Sequence, residues 1–164
     1  MARNITADYI SGFVDGEGCF NITLRKDKGK YFYWKANFVI EIRKDDRLLL
    51  SAIKEFFRAG TLCQAGECAR YQVSDTQILL DKIIPFFEKN SLIGKKKNDF
   101  ILWKEAVEII GRNKKKKNNS EKGLKGFQTV TWNQIDLKRL KAIRNEMLVY
   151  KGGGKSRVFK HQGS

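Results

Sequence analysis

The 164-residue sequence has one histidine (His161), one proline (Pro85) and three cysteines (Cys19, Cys63 and Cys68). A lone histidine near the C-terminus argues against imidazole-based acid/base chemistry and His-rich metal sites. An odd number of cysteines without CxxC spacing provides neither a disulfide framework nor a zinc ribbon. No apolar run approaches the ~18 residues of a membrane-spanning helix. Residues 1–9 contain no apolar stretch of signal-peptide type, so the protein is expected to be intracellular rather than secreted. Acids are also scarce: 18 Asp plus Glu face 33 Lys plus Arg, a formal charge of +15. Such an excess repels itself unless an anionic partner offsets it, with nucleic acid the first choice and an anionic membrane surface the second. Catalysis, if present, must rest on carboxylates, lysines, backbone groups and a hard metal.

What is present is a foldable core. Hydrophobic residues make up 41% of the chain and aromatics 12%, too many for a disordered chain. One domain is expected over residues 1–150, followed by a flexible basic tail, 151–164. Thr6 can cap a short helix running to Gly18, with Tyr9, Ile10, Phe13 and Val14 on its apolar face. From Phe20 the period becomes two: Phe20, Ile22 and Leu24 alternate with Asn21, Thr23 and Arg25. After the polar turn 26–30, residues 32–42 repeat the alternation, predicting an antiparallel hairpin. Asp45 or Asp46 begins a helix ended by Gly60, and residues 61–74 form a second hairpin turning near Gly66. A capping box, Ser74 to Gln77, opens a helix to Phe87 that Pro85 bends or ends. Helices follow at 99–110 and, after the basic loop 111–126, from a second capping box at Thr131 to Gln134. This order predicts an α+β fold: one antiparallel sheet with helices on one face.

The other sheet face would present Asn21, Thr23, Arg25, Tyr33, Lys35, Asn37, Arg70 and Gln72. Arg, Lys, Asn and Gln are the side chains that read base edges, and a two-stranded ribbon fits the major groove of duplex DNA. Lys95, Lys96 and Lys97, together with Lys114, Lys115, Lys116 and Lys117, would add phosphate contacts that carry no sequence information. The aromatics fall mainly at core positions, which disfavours a single-strand stacking surface.

Two features of residues 9–18 remain. Gly12 and Gly16 lie on one stripe of the first helix, where glycine costs ~1 kcal/mol relative to alanine, so a close helix approach is expected there. Asp15 and Glu17 lie between glycines at the helix end in a very basic protein. A bridging Mg²⁺ would reconcile such a carboxylate with a phosphodiester backbone.

The segment Ile10-Ser11-Gly12-Phe13-Val14-Asp15-Gly16-Glu17-Gly18 resembles the LAGLIDADG motif of homing endonucleases. The α-ββ-α-ββ-α order over roughly 6–110 and the segment from Pro85 through Val107 resemble the rest of the family core. The resemblance implies a saddle-shaped antiparallel sheet and site-specific double-strand DNA cleavage with Mg²⁺ or Mn²⁺, Ca²⁺ supporting binding without cleavage. It implies that Glu17 is the metal-binding catalytic carboxylate, that the Gly16 carbonyl also contacts metal, and that Asp15 is structural. It places the active-site lysine at Lys95, with Lys96 and Lys97 as alternatives, and the residue that helps place water near Arg43 or Lys44, where the family often has glutamine. A single motif implies a homodimer packed through Ile10, Gly12, Phe13 and Gly16, acting on a palindromic or pseudo-palindromic target. It also implies an organelle (mitochondrion or chloroplast) or the prokaryotic cytoplasm as the setting. The alternative on the same fold is an intron RNA maturase or a non-cleaving DNA-binding regulator.

Overall fold

The structure, a computed structural model, describes residues 4–27, 31–114 and 132–150. Lys115, Lys116, Lys117, Thr131 and the predicted tail lie outside the described residues. The first helix, α1 (Ala7–Glu17), leads directly into the hairpin of β1 (Gly18–Asp27) and β2 (Tyr31–Arg43). A 3₁₀ turn, Lys44–Asp46, precedes α2 (Arg47–Phe57), and a second hairpin follows, β3 (Thr61–Ala65) and β4 (Cys68–Val73). The chain then becomes helical as α3 (Thr76–Ile78), a π-helical turn (Leu79–Ile83) and α4 (Ile84–Lys89), before the long helices α5 (Lys96–Asn113) and α6 (Gln134–Tyr150). The strands form one antiparallel sheet in the order β1-β2-β4-β3. The α+β reading holds, as does the alternation of helices with hairpins.

The caps show where local pattern and structure part. Thr6 accepts from the Tyr9 amide, as its position predicts. At the later helices the boundary shifts: Asp75, not Ser74, caps α3 by accepting from the Ile78 amide. Asn133 accepts from the Ile135 amide at the start of α6. Ser74 is drawn away because its hydroxyl serves the sheet. Pro85 sits in the first turn of α4, where its missing N–H costs little, and the preceding turn widens to π geometry.

The core lies between one sheet face and the helices. Phe20 is its centre, 4.9 Å from the Trp103 ring, 5.4 Å from Phe38 and 5.6 Å edge-on to Phe87. Removing such a ring costs roughly 3–5 kcal/mol. Tyr71 is fully buried, and its hydroxyl donates to the Ala59 carbonyl; burial pushes the phenol pKa up. Leu140, Ile143 and Met147 seal α6 onto this core.

Ion pairs orient α6 against α5. Arg112 makes two hydrogen bonds to Asp136, which Asn113 also contacts, and Arg139 grips both oxygens of Glu105. The hydrogen bonds from Arg112 and then Asn113 hold the Asp136 carboxyl down to about 2, from an ordinary 3.8. A depressed carboxyl pKa adds stability above the ordinary value and loses it as pH falls through the folded one. Acid is therefore expected to loosen α6 as pH drops from about 3.8 to about 2. Asp136→Asn should flatten that part of an acid titration followed by circular dichroism.

Candidate nucleic-acid interface and acidic centre

Alternation sends Phe20, Ile22, Trp34, Ala36, Phe38, Ile40, Ala69, Tyr71 and Val73 into the core. The same register leaves an open face. Across β1 and β2, Asn21 lies opposite Asn37, Thr23 opposite Lys35, and Arg25 opposite Tyr33. On the other side of β2, Glu41 lies opposite Arg70 and Val39 opposite Gln72. The predicted base-reading residues thus share one surface, with two differences in detail. Asn37 is only 4% exposed, because neighbouring side chains close over it. Arg70 is held from two of its nitrogens by Glu41, at 2.6 and 2.7 Å, a partner that sequence reasoning missed.

Glu17 is the last residue of α1 and is exposed where the helix hands over to β1. Gly18 makes this abrupt transition possible. A Cβ there would lie 2.5 Å from Val14 Cγ1 and 2.7 Å from the Val14 carbonyl oxygen.

Asp15 turns the other way. Its Oδ2 accepts from the Ile93 and Gly94 amides, at 2.9 and 2.8 Å. A Cβ on Gly94 would come within 3.0 Å of the same carboxylate, so glycine permits this approach. The Ser11 hydroxyl lies within reach of the Asn90 and Ser91 carbonyls and ties the same loop to α1.

That tether brings the start of α5 to the end of α1. Lys96 donates from Nζ to the Gly16 carbonyl at 3.2 Å and to the Gly18 carbonyl. Lys95 and Lys97 flank it, both exposed. Cations in a first helical turn oppose the helix dipole, and an anion bound there reverses the sign of that interaction. Lys114 closes the far end of α5 as its C-cap. Arg43 pairs with Asp45 at 2.6 Å and Lys44 with Glu67 at 2.7 Å, so both cations near the predicted water-placing position already hold acids.

The glycine stripe faces outward. A Cβ on either Gly12 or Gly16 would meet nothing within 4 Å. Tyr9 and Phe13 stack beside the stripe with ring centroids 6.0 Å apart. Ile10 departs from the expected contact surface, because it is fully buried in the chain's own core.

Among the described residues, no helix is long and apolar enough to cross a membrane. No cluster of three acidic, cysteine or histidine side chains able to hold a metal occurs among them either. A cation is nonetheless well matched to the end of α1. Two backbone carbonyls there already gather an ammonium, beside an exposed carboxylate. One chain supplies only part of the oxygen shell a hard divalent ion requires.

The model of the LAGLIDADG endonuclease family matches residues 10–107. "Probable intron-encoded endonuclease 2" of Neurospora crassa is 33% identical over 115 residues, covering 67% of this chain and 25% of that protein. "Homing endonuclease I-ApeII" of Aeropyrum pernix is 25% identical over 117 residues, covering 70% of each. The structure of I-SmaMI bound to uncleaved DNA target in the presence of calcium ions superposes with a TM-score of 0.73 at 27% identity, covering 88% of this chain and 45% of that one. I-TnaI, a homing endonuclease, shares the fold at a TM-score of 0.70 and 24% identity, covering 87% of this chain and 88% of its own. The chain spans about a quarter of the Neurospora relative's length. From Ile10 at the head of the motif to Val107 in α5, this chain belongs to the LAGLIDADG endonuclease family.

Proposed function

We propose that the protein is a site-specific, metal-dependent DNA endonuclease that works as a homodimer on a palindromic or pseudo-palindromic target. The observation that carries the reading is the end of α1. There an exposed carboxylate, Glu17, lies between two glycines whose carbonyls accept from the Lys96 ammonium, where α1 hands over to β1.

In this reading the sheet face lies along the major groove. Arg25, Lys35 and Arg70 supply charge, and Asn21, Thr23, Tyr33 and Gln72 supply polar groups. Lys95 and Lys97 meet phosphates, as does Lys114 further along α5, so binding weakens steeply with salt. Lys96 takes the active-site lysine's place, since its ammonium already reaches the motif's end. The bare stripe at Gly12 and Gly16 admits the same helix of a second copy, with Phe13 at its margin. That pairing would set two Glu17 carboxylates side by side. Glu17 and the Gly16 carbonyl of each copy, with phosphate oxygens, would hold Mg²⁺ or Mn²⁺. A divalent ion held there would supply an activated water and stabilisation of the leaving oxygen. Ca²⁺ would support binding without cleavage. Relatives named as intron-encoded agree with action in the compartment that holds the gene, an organelle or a prokaryotic cytoplasm.

The test is digestion of a randomised palindromic duplex library in Mg²⁺, with sequencing of the cut ends. Ends that share a two-fold symmetric consensus and short 3′ overhangs are expected. A duplex that is bound but never cut would overturn the nuclease assignment, and an asymmetric consensus would overturn the homodimer.

A further inference from the structure

Four polar side chains on the open sheet face form a closed hydrogen-bond network around Asn37. Asn37 Oδ1 accepts from Ser74 Oγ at 2.8 Å and from Gln72 Nε2 at 3.2 Å. Gln72 Nε2 also donates to Ser74 Oγ at 2.6 Å, which completes a triangle. On its other side, Asn37 Nδ2 donates to Asn21 Oδ1 at 2.8 Å. Asn37 is 4% exposed, so it touches no ligand itself. Asn21 and Gln72 are each partly exposed on either side of it.

A primary amide has two N–H donors and one carbonyl acceptor. Gln72 Nε2 donates to both Asn37 and Ser74, whereas its Oε1 makes no hydrogen bond to another described residue and is the acceptor it has to offer. Asn21 has the opposite bias. Its Oδ1 receives the Asn37 amide, and its Nδ2 makes only a long 3.9 Å contact to Cys19 Sγ. Asn21 therefore offers donors.

We propose that Asn37 is a positioning residue that sets the hydrogen-bond polarity of two base-reading side chains, making Gln72 an acceptor and Asn21 a donor toward the DNA. The inference rests on the open face being the DNA-reading surface. With its donors occupied, Gln72 cannot form the bidentate pair by which a free glutamine selects adenine. It takes one hydrogen bond from an exocyclic amine, so it accepts adenine or cytosine. Asn21 selects bases that present an acceptor in the groove, guanine, thymine or adenine through N7, and disfavours cytosine.

Two substitutions separate the halves of the network. Ser74→Ala frees one Nε2–H of Gln72, which can then pair with adenine at two points. Asn37→Asp keeps both acceptances from Gln72 and Ser74 but cannot donate, so the Asn21 amide turns and exposes its oxygen. The experiment is a binding selection from a randomised duplex library in Ca²⁺ with the 164-residue chain and both variants, alongside thermal melts. For Ser74→Ala, one position of each half-site should narrow from adenine or cytosine to adenine. For Asn37→Asp, a different position should change from excluding cytosine to favouring the amine-bearing bases, cytosine and adenine, over guanine and thymine. Each change should be about fivefold or more, the lower end of what one good base contact discriminates.

Unchanged preferences in variants that melt normally would overturn the proposal, as would the reverse polarity in the unsubstituted protein. If Asn37→Asp fails to fold, Ser74→Ala alone decides. Failure of every protein to bind duplex would overturn the DNA-reading face as well, an outcome distinct from binding with unaltered preferences.

Discussion

Glu17→Gln is expected to lower strand cleavage by about 10³-fold or more while duplex binding persists. A catalytic metal supplies several kcal/mol of transition-state stabilisation, and each 1.36 kcal/mol is a factor of ten. Glutamine matches glutamate in shape but removes the charge that attracts the ion. Glu17 is exposed at a helix end and makes no ion pair with another described residue. Its replacement should therefore leave stability within about 0.5 kcal/mol. Loss of a carboxylate beside phosphates also removes a repulsion, so affinity in Ca²⁺ should hold or rise. Cleavage of a supercoiled plasmid carrying the target, read beside a gel shift, separates the two quantities. A variant that still nicks in Mg²⁺ would remove Glu17 from the chemistry.

Gly12→Leu carries the second large effect, on assembly. Within one chain the new side chain meets open space at its root. Leucine in place of glycine also improves helix propensity by about 1 kcal/mol. The variant should fold at least as well as its parent by thermal melt. Between two copies, however, the same side chain would enter the space where the helix backbones must approach. Sedimentation should then show a monomer, and linear product should vanish from a double-strand cleavage assay. A variant that stays dimeric would move the contact elsewhere on α1.

Both predictions start from the spacing of residues 9–18, because glycines four apart and an acid at a helix end are local features. The hairpins were equally legible, since a period of two names both faces of a strand at once. Features that depend on contacts between distant residues were not. Ser74 resembles a helix cap in sequence, but its hydroxyl donates to Asn37 in β2, and Asp75 caps α3 instead. Asn37 sits at an outward position by parity, yet is buried because Gln72, Ser74 and Asn21 converge on it. Ile10 lies on the apolar side of α1, and periodicity alone does not say whether that side meets the core or another chain. Three consecutive lysines cannot be ranked from sequence. The turn into α5, clamped by Asp15, directs Lys96 to the motif.

The parity of the sheet also bears on how such a protein can change over generations. In β1 and β2 the even positions, such as Phe20, Trp34 and Phe38, build the core, while the odd positions face outward. Substitutions at Thr23, Lys35 or Tyr33 can therefore change the chemistry of the open face with little effect on the packing beneath. Deleting one residue from β2 would exchange the two sets, burying Lys35 and exposing Trp34, and would destroy the core and the polar face together. The lineage is free to vary by replacement within its strands and by length only in the turns between them.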